Sequence, residues 1–164
     1  MTVTSLLRPG ALDGRAVRAG GAYAAACAAA GATIAGAGAA RVDLLVVDTA
    51  PAFGAGGPDG LRAALDGAWS AVLTVAGERR PAGGEGGKIV LVAPRTDAGE
   101  HATAAAAALE NLARTLGVEW ARHGVRATAI APGPRTDDAA VAQLVAFLAS
   151  AAGEYFSGCR FDLR

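Results

Sequence analysis

Two runs, Val42–Val47 and Lys88–Ala93, are apolar at almost every position, and strands of that kind belong in a sheet covered on both faces. Around them, short segments rich in Val, Ile and Leu alternate with longer Ala/Leu segments of helical period. That alternation is the pattern of a parallel sheet flanked by helices, so the fold class expected is α/β. Strands are expected over Ala16–Ala19, Ala32–Ala35, Val42–Val47, Lys88–Ala93, Val125–Ala131 and Cys159–Leu163, with a loop as the competing reading for the Gly/Ala-rich stretch 31–40. Leu61, Leu65, Trp69, Val72 and Leu73 recur at three- and four-residue steps and predict a helix over Asp59–Arg80. Leu109, Leu112, Leu116 and Trp120 predict another over Ala102–His123, stopped at Gly124, with Ala105–Ala108 as a small-residue surface beside the stripe. A last helix, Asp137–Ala151, carries Val141, Leu144, Val145 and Leu148, and Asp137 or Asp138 suits its N-cap.

Composition narrows the function. The chain has 164 residues, which fits one domain over 1–164, and its 15 Lys+Arg balance 15 Asp+Glu. Without net positive charge or a Lys/Arg cluster, the attraction that drives phosphate-backbone binding is missing, and nucleic acid is not an expected partner. No stretch of about 18 consecutive strongly apolar residues occurs, and the first residues lack the basic-then-apolar order of a signal peptide, so neither a membrane partner nor export is expected and the cytoplasm is. Cys27 and Cys159 stand far apart with no Cys-x-x-Cys; they read as two plain thiols, and no metal site is expected.

From Val42 onward the order of segments resembles the short-chain dehydrogenase/reductase family. Val42-Asp-Leu-Leu-Val-Val-Asp-Thr-Ala is similar to that family's Asp-x-Leu-Val-Asn-Asn-Ala-Gly strand, and Gly87-Lys-Ile-Val-Leu-Val-Ala-Pro to its Gly-x-Ile-Val-x-x-Ser-Ser strand. The most specific stretch runs without a gap from Ala107 to Pro134 and resembles the family's long helix, next strand and Pro-Gly turn. Val141–Leu163 resembles its C-terminal helix and strand. The resemblance implies a Rossmann-like doubly wound parallel sheet with flanking helices, here shortened.

The same register implies that the family's chemistry is gone. In the family a Tyr exchanges the substrate proton, a Lys four residues later lowers that tyrosine's pKa and holds the ribose, a Ser binds the substrate oxygen and an Asn keeps a relay water. Those positions fall on Ala102, Ala106, the pair Ala93 and Pro94, and Ala68. A methyl group neither transfers a proton nor stabilises an oxyanion. The glycine turn that lets a pyrophosphate approach a helix start is reduced to Gly20 and Gly21, followed by Tyr23 where a small residue is wanted. After the second strand there is no acid for a ribose diol and no early Arg for a 2′-phosphate, and the chain reaches Asp43 almost directly. After Pro132-Gly-Pro it runs straight into Asp137, with no room for a substrate lid.

What remains suggests association. In the family the two long helices pack against the same pair of another subunit, and the last helix and strand form a second interface. The resemblance therefore implies interface positions at Trp69, Ala105, Ala108, Leu112, Leu116, Trp120, Phe147 and Phe161. The expectation is a non-catalytic subunit with no cofactor of its own, paired with a full-length homologue that binds NAD or NADP; a homodimer stays open. Two alternatives stand beside it. One is an oxidoreductase with a rebuilt site using His101, which otherwise reads as an exposed residue near the helix cap; His123 suits a solvated helix C-terminus. The other is a small-molecule binding module in the vacated crevice near Ala19, Asp48 and Ala93, with Asp48 otherwise a loop carboxylate satisfied by nearby amides.

Overall fold

The computed structural model describes residues 6–78 and 86–163. They form a six-stranded, wholly parallel sheet in the order β2-β1-β3-β4-β5-β6. The strands are β1 (Ala16–Arg18), β2 (Thr33–Ile34), β3 (Leu44–Asp48), β4 (Lys88–Val92), β5 (Arg126–Pro132) and β6 (Cys159–Leu163). Each expected strand is present. The competing loop reading of 31–40 is also partly right, because β2 keeps only two residues, both exposed, at the sheet's edge. β4 is buried at all five positions: the apolar run 89–92, as a strand covered on both faces requires, and Lys88 before it.

Five α-helices complete the order: α1 (Gly21–Ala29), α2 (Ala50–Phe53), α3 (Gly57–Glu78), α4 (Ala102–Glu119) and α5 (Asp138–Ala149). The short α2 lacks a hydrophobic period and was not foreseen. Residues 79 and 80, included in the expected Asp59–Arg80 helix, lie outside the described residues. The helix expected over Ala102–His123 stops its α-turns at Glu119, and a 3-10 turn over Ala121–His123 follows. Gly124 ends it with φ 69°, where a Cβ would come within 2.9 Å of the Gly86 backbone. Of the two N-cap candidates for α5 it is Asp137 whose carboxylate accepts a bond from the Ala139 amide, at 3.0 Å.

The helices cover both faces. On one, α3 and α4 pack with Leu45, Ile89, Leu91, Ala127 and Ala129 against Val72, Leu109, Ala113 and Leu116. On the other, α1 and α5 pack with Val17, Val46, Val90 and Ile130 against Cys27, Val141, Val145 and Leu148. Alternate residues of each central strand supply the two cores. Between β2 and β3, residues 35–43 hold neither helix nor strand, and between β5 and α5 only residues 133–137 intervene. The fold is thus the doubly wound one, shortened at the two places where the sequence is short.

The sheet's amino-terminal end is held by an unexpected side chain. Lys88, the chain's single lysine, is 8% exposed and donates to the carbonyls of Leu148 at 2.9 Å, Ala149 at 3.4 Å and Ser150 at 2.5 Å. These carbonyls close the C-terminus of α5, where a cation serves both as donor and as charge; Ser150 also accepts from the Gly153 amide at 3.1 Å. Burial pushes the Lys88 pKa down to about 8, although the nearby Glu154 carboxylate raises it.

Candidate functional site

A doubly wound sheet opens at the carboxyl ends of its strands where the winding reverses. Here the reversal falls between β1 and β3, and a crevice of about 530 Å³ lies there. Its floor is apolar, from Val46, Val92, Ala93 and Val141; its polar groups are Tyr23 on α1, Asp48 at the end of β3, Arg95 after β4 and Asp138 on α5. Gly20 and Gly21 form its rim at the start of α1, and Gly21 has φ 52°, a conformation that explains the glycine by backbone geometry alone.

Arg95 and Asp138 are an ion pair, and the second Arg95 nitrogen donates to the Gly133 carbonyl at 3.0 Å. With the Thr96 amide on the Pro132 carbonyl at 3.2 Å, these bonds fasten the loop after β4 to the short turn after β5. Asp48 behaves differently. One of its oxygens accepts from the Ala50 amide at 3.0 Å, as the loop-carboxylate reading expected. Burial raises its pKa, the Ala50 bond lowers it, and the charge of Asp138 raises it again. The Tyr23 phenol is pushed up to about 12 by burial and by Asp48 and Asp138, with Arg95 opposing, so it stays protonated at neutral pH.

The other residues singled out in the sequence are placed as follows. Ala93 lines the crevice, and Pro94 after it is buried; Ala68, Ala102 and Ala106 sit in the core at 0%, 1% and 4% exposure. His101 caps α4 in a left-handed conformation, φ 70°, with its Nε2 3.5 Å from Glu100; it is not among the residues lining the crevice. His123 is exposed and accepts from Arg122 at 3.1 Å. Ala19 packs against the α1/α5 core and does not line the crevice.

Two of the interface positions are corrected. Ala105 is completely buried in a cluster with Phe53, Ala64 and Ala102, and Leu116 is buried against the sheet, so both belong to the chain's own core. Leu112 and Trp120 pack partly on that core. Phe147 and Phe161 pack partly on the other, each with its ring against Phe156, at centroid distances of 6.0 and 5.1 Å. Ala108 is half-buried, whereas Trp69 stands on α3 at 45% exposure, with Leu73 one turn further at 46%.

A second cavity of about 530 Å³ lies at the ends of β5 and β6. Its Arg160 is neutralised by Glu110 at 2.7 Å and by Asp162. Among the described residues no group of three or more His, Cys, Asp or Glu is arranged to hold a metal ion.

Solved structures share this architecture. An angucycline C-6 ketoreductase with bound NADP superposes at TM-score 0.70, with 18% identity over 95% of this chain and 96% of that one. A short-chain dehydrogenase from Burkholderia cenocepacia in complex with NADP gives 0.67, with 21% identity over 93% and 97%. The fold is that of the short-chain dehydrogenases. A putative oxidoreductase from Escherichia coli is 26% identical over 75% of this chain and 62% of that one, at TM-score 0.57. No family model matches the chain, and no curated protein does. Among the described residues no helix is long and apolar enough to cross a membrane.

The sequence missed Arg95 and the part played by Lys88. Both act across long chain separations, 43 residues to Asp138 and 60–62 to the end of α5, and no local pattern marks such partners.

Proposed function

We propose that this chain is a non-catalytic relative of the short-chain dehydrogenases that works by association, pairing with a full-length homologue whose own active site carries out the nicotinamide-dependent oxidoreduction. The observation that carries the reading is a contrast: the positions that resemble the family's Tyr, Lys and Asn are methyl groups sunk in the core, while two large apolar side chains stand out together on α3. A proton donor cannot act from a core methyl, and a Trp and a Leu exposed one turn apart are what a partner surface uses as anchors. Three outward residues of α4, Ala104, Ala107 and Asn111, are small enough for a neighbouring helix to approach closely.

The cofactor would belong to the partner. A dinucleotide fits this crevice poorly, since Tyr23 stands on the first turn of α1 and Asp48 puts a negative charge into the same crevice. The deciding experiment is co-expression with each complete short-chain dehydrogenase of the same genome, followed by size-exclusion chromatography with light scattering. A hetero-oligomer supports the proposal. A protein that remains a monomer with each of them overturns it, and a homodimer replaces the partner by a second copy.

A further inference from the structure

We propose that the crevice at the reversal between β1 and β3 binds a small organic cation, a primary amine on an apolar body of about one ring, with Asp48 as its counter-ion. The argument starts from the ionisable groups that line it, which are Tyr23, Asp48, Arg95 and Asp138. Arg95 and Asp138 cancel one another, and the rest of the Arg95 guanidinium is held by the Gly133 carbonyl. Tyr23 stays a neutral phenol. The charge left over is that of Asp48.

Among the described residues no cation pairs with Asp48; its protein bond is the single one from the Ala50 amide. A carboxylate at the mouth of an apolar crevice, with no cation beside it, gains from a ligand that brings positive charge and loses from one that brings negative charge. Burial and Asp138 both raise its pKa, which is the same disadvantage seen from the proton's side. The Tyr23 oxygen offers a second acceptor to an ammonium group. Val46, Val92 and Val141 supply the apolar wall, and about 530 Å³ falls within the range of small-molecule sites. The chemistry departs from the dinucleotide site of the fold in the sign of the charge it selects.

The test is isothermal titration near neutral pH with benzylamine, benzyl alcohol, benzoate and NADPH. Benzylamine should bind saturably, benzyl alcohol at least about tenfold more weakly, and benzoate and NADPH not at all. Asp48→Asn keeps the oxygen that accepts from Ala50, so it should fold, and it should weaken benzylamine about tenfold or more; Tyr23→Phe should weaken it a few-fold. The proposal is overturned if benzylamine fails to bind, if benzyl alcohol or benzoate binds equally well, if NADPH binds, or if Asp48→Asn changes nothing. The benzylamine and benzyl alcohol comparison needs no variant and stands even if the substituted protein does not fold. None of these results depends on whether a partner subunit exists.

Discussion

Replacing Lys88 with Met asks what a buried charge does at the end of α5. Lys88 donates to three carbonyls there, and burial lowers its pKa to about 8 from the 10.5 of a free lysine. The folded state therefore binds this proton less tightly than the unfolded state does. Between pH 8 and 10.5 the unfolded chain holds more protons, so this group's contribution to stability rises with pH. At about 1.4 kcal/mol per unit of pKa, the rise from neutral pH to pH 10 is on the order of 3 kcal/mol. Other groups oppose it: Cys27, pushed up to about 11 by burial, loses stability for the fold as pH rises through 9 to 11. The variant removes that background, since it keeps every group but Lys88. Urea unfolding of both proteins, followed by circular dichroism at pH 7, 8.5 and 10, should show the wild type more stable than Lys88→Met at each pH, because the variant takes the Lys88 donor from the Leu148 and Ala149 carbonyls. The gap should widen by about 2–3 kcal/mol between the first pH and the last. A gap that narrows would refute the reasoning, since it would mean that the carbonyls and Glu154 favour the ammonium more than burial opposes it.

Other expectations separate the core from the surface. Leu116→Ala should cost about 2–5 kcal/mol in the same unfolding measurement, because that side chain packs against the sheet inside the chain. Trp69→Glu should leave stability within about 0.5 kcal/mol yet abolish co-elution with a complete homologue, because its site is on the surface. Ala102→Tyr combined with Ala106→Lys should produce no ketone reduction with NADPH and should lower stability by about 1–3 kcal/mol through overpacking, checked by absorbance assay and thermal melt. Iodoacetamide at neutral pH should leave Cys27 unmodified until urea is added, as read by mass spectrometry, because that thiol is buried and protonated.

The strands were legible because a parallel sheet buried on both faces writes itself into the chain as Val/Ile/Leu runs, and residues 89–92 of β4 are such a run. The helices were legible in their period, but a period says only which side chains share a face. It does not say whether that face meets the sheet or another molecule; the family resemblance put Ala105 and Leu116 at an interface, and both lie inside. Asp48 and Ala93 were recognised as crevice residues because they end strands, and strand ends are fixed by the sheet. Arg95 was not, since its role depends on Asp138 and Gly133 arriving beside it from the far side of β5.

The two ends of the sheet differ in a way that bears on solubility. The β2 edge is two residues long and offers almost no unpaired backbone, so a second chain finds nothing there to extend. The opposite edge, β6, is a full five-residue strand, Cys-Arg-Phe-Asp-Leu, and among the described residues no strand pairs with its outer side. What guards it is charge: Arg160 and Asp162 stand in its middle and are tied into ion pairs, and placing charged side chains along an open strand is a recognised protection against edge-to-edge growth. Neutralising that pair would leave Phe161 and Leu163 as the character of the edge and turn the one extendable side of the sheet into a template for aggregation.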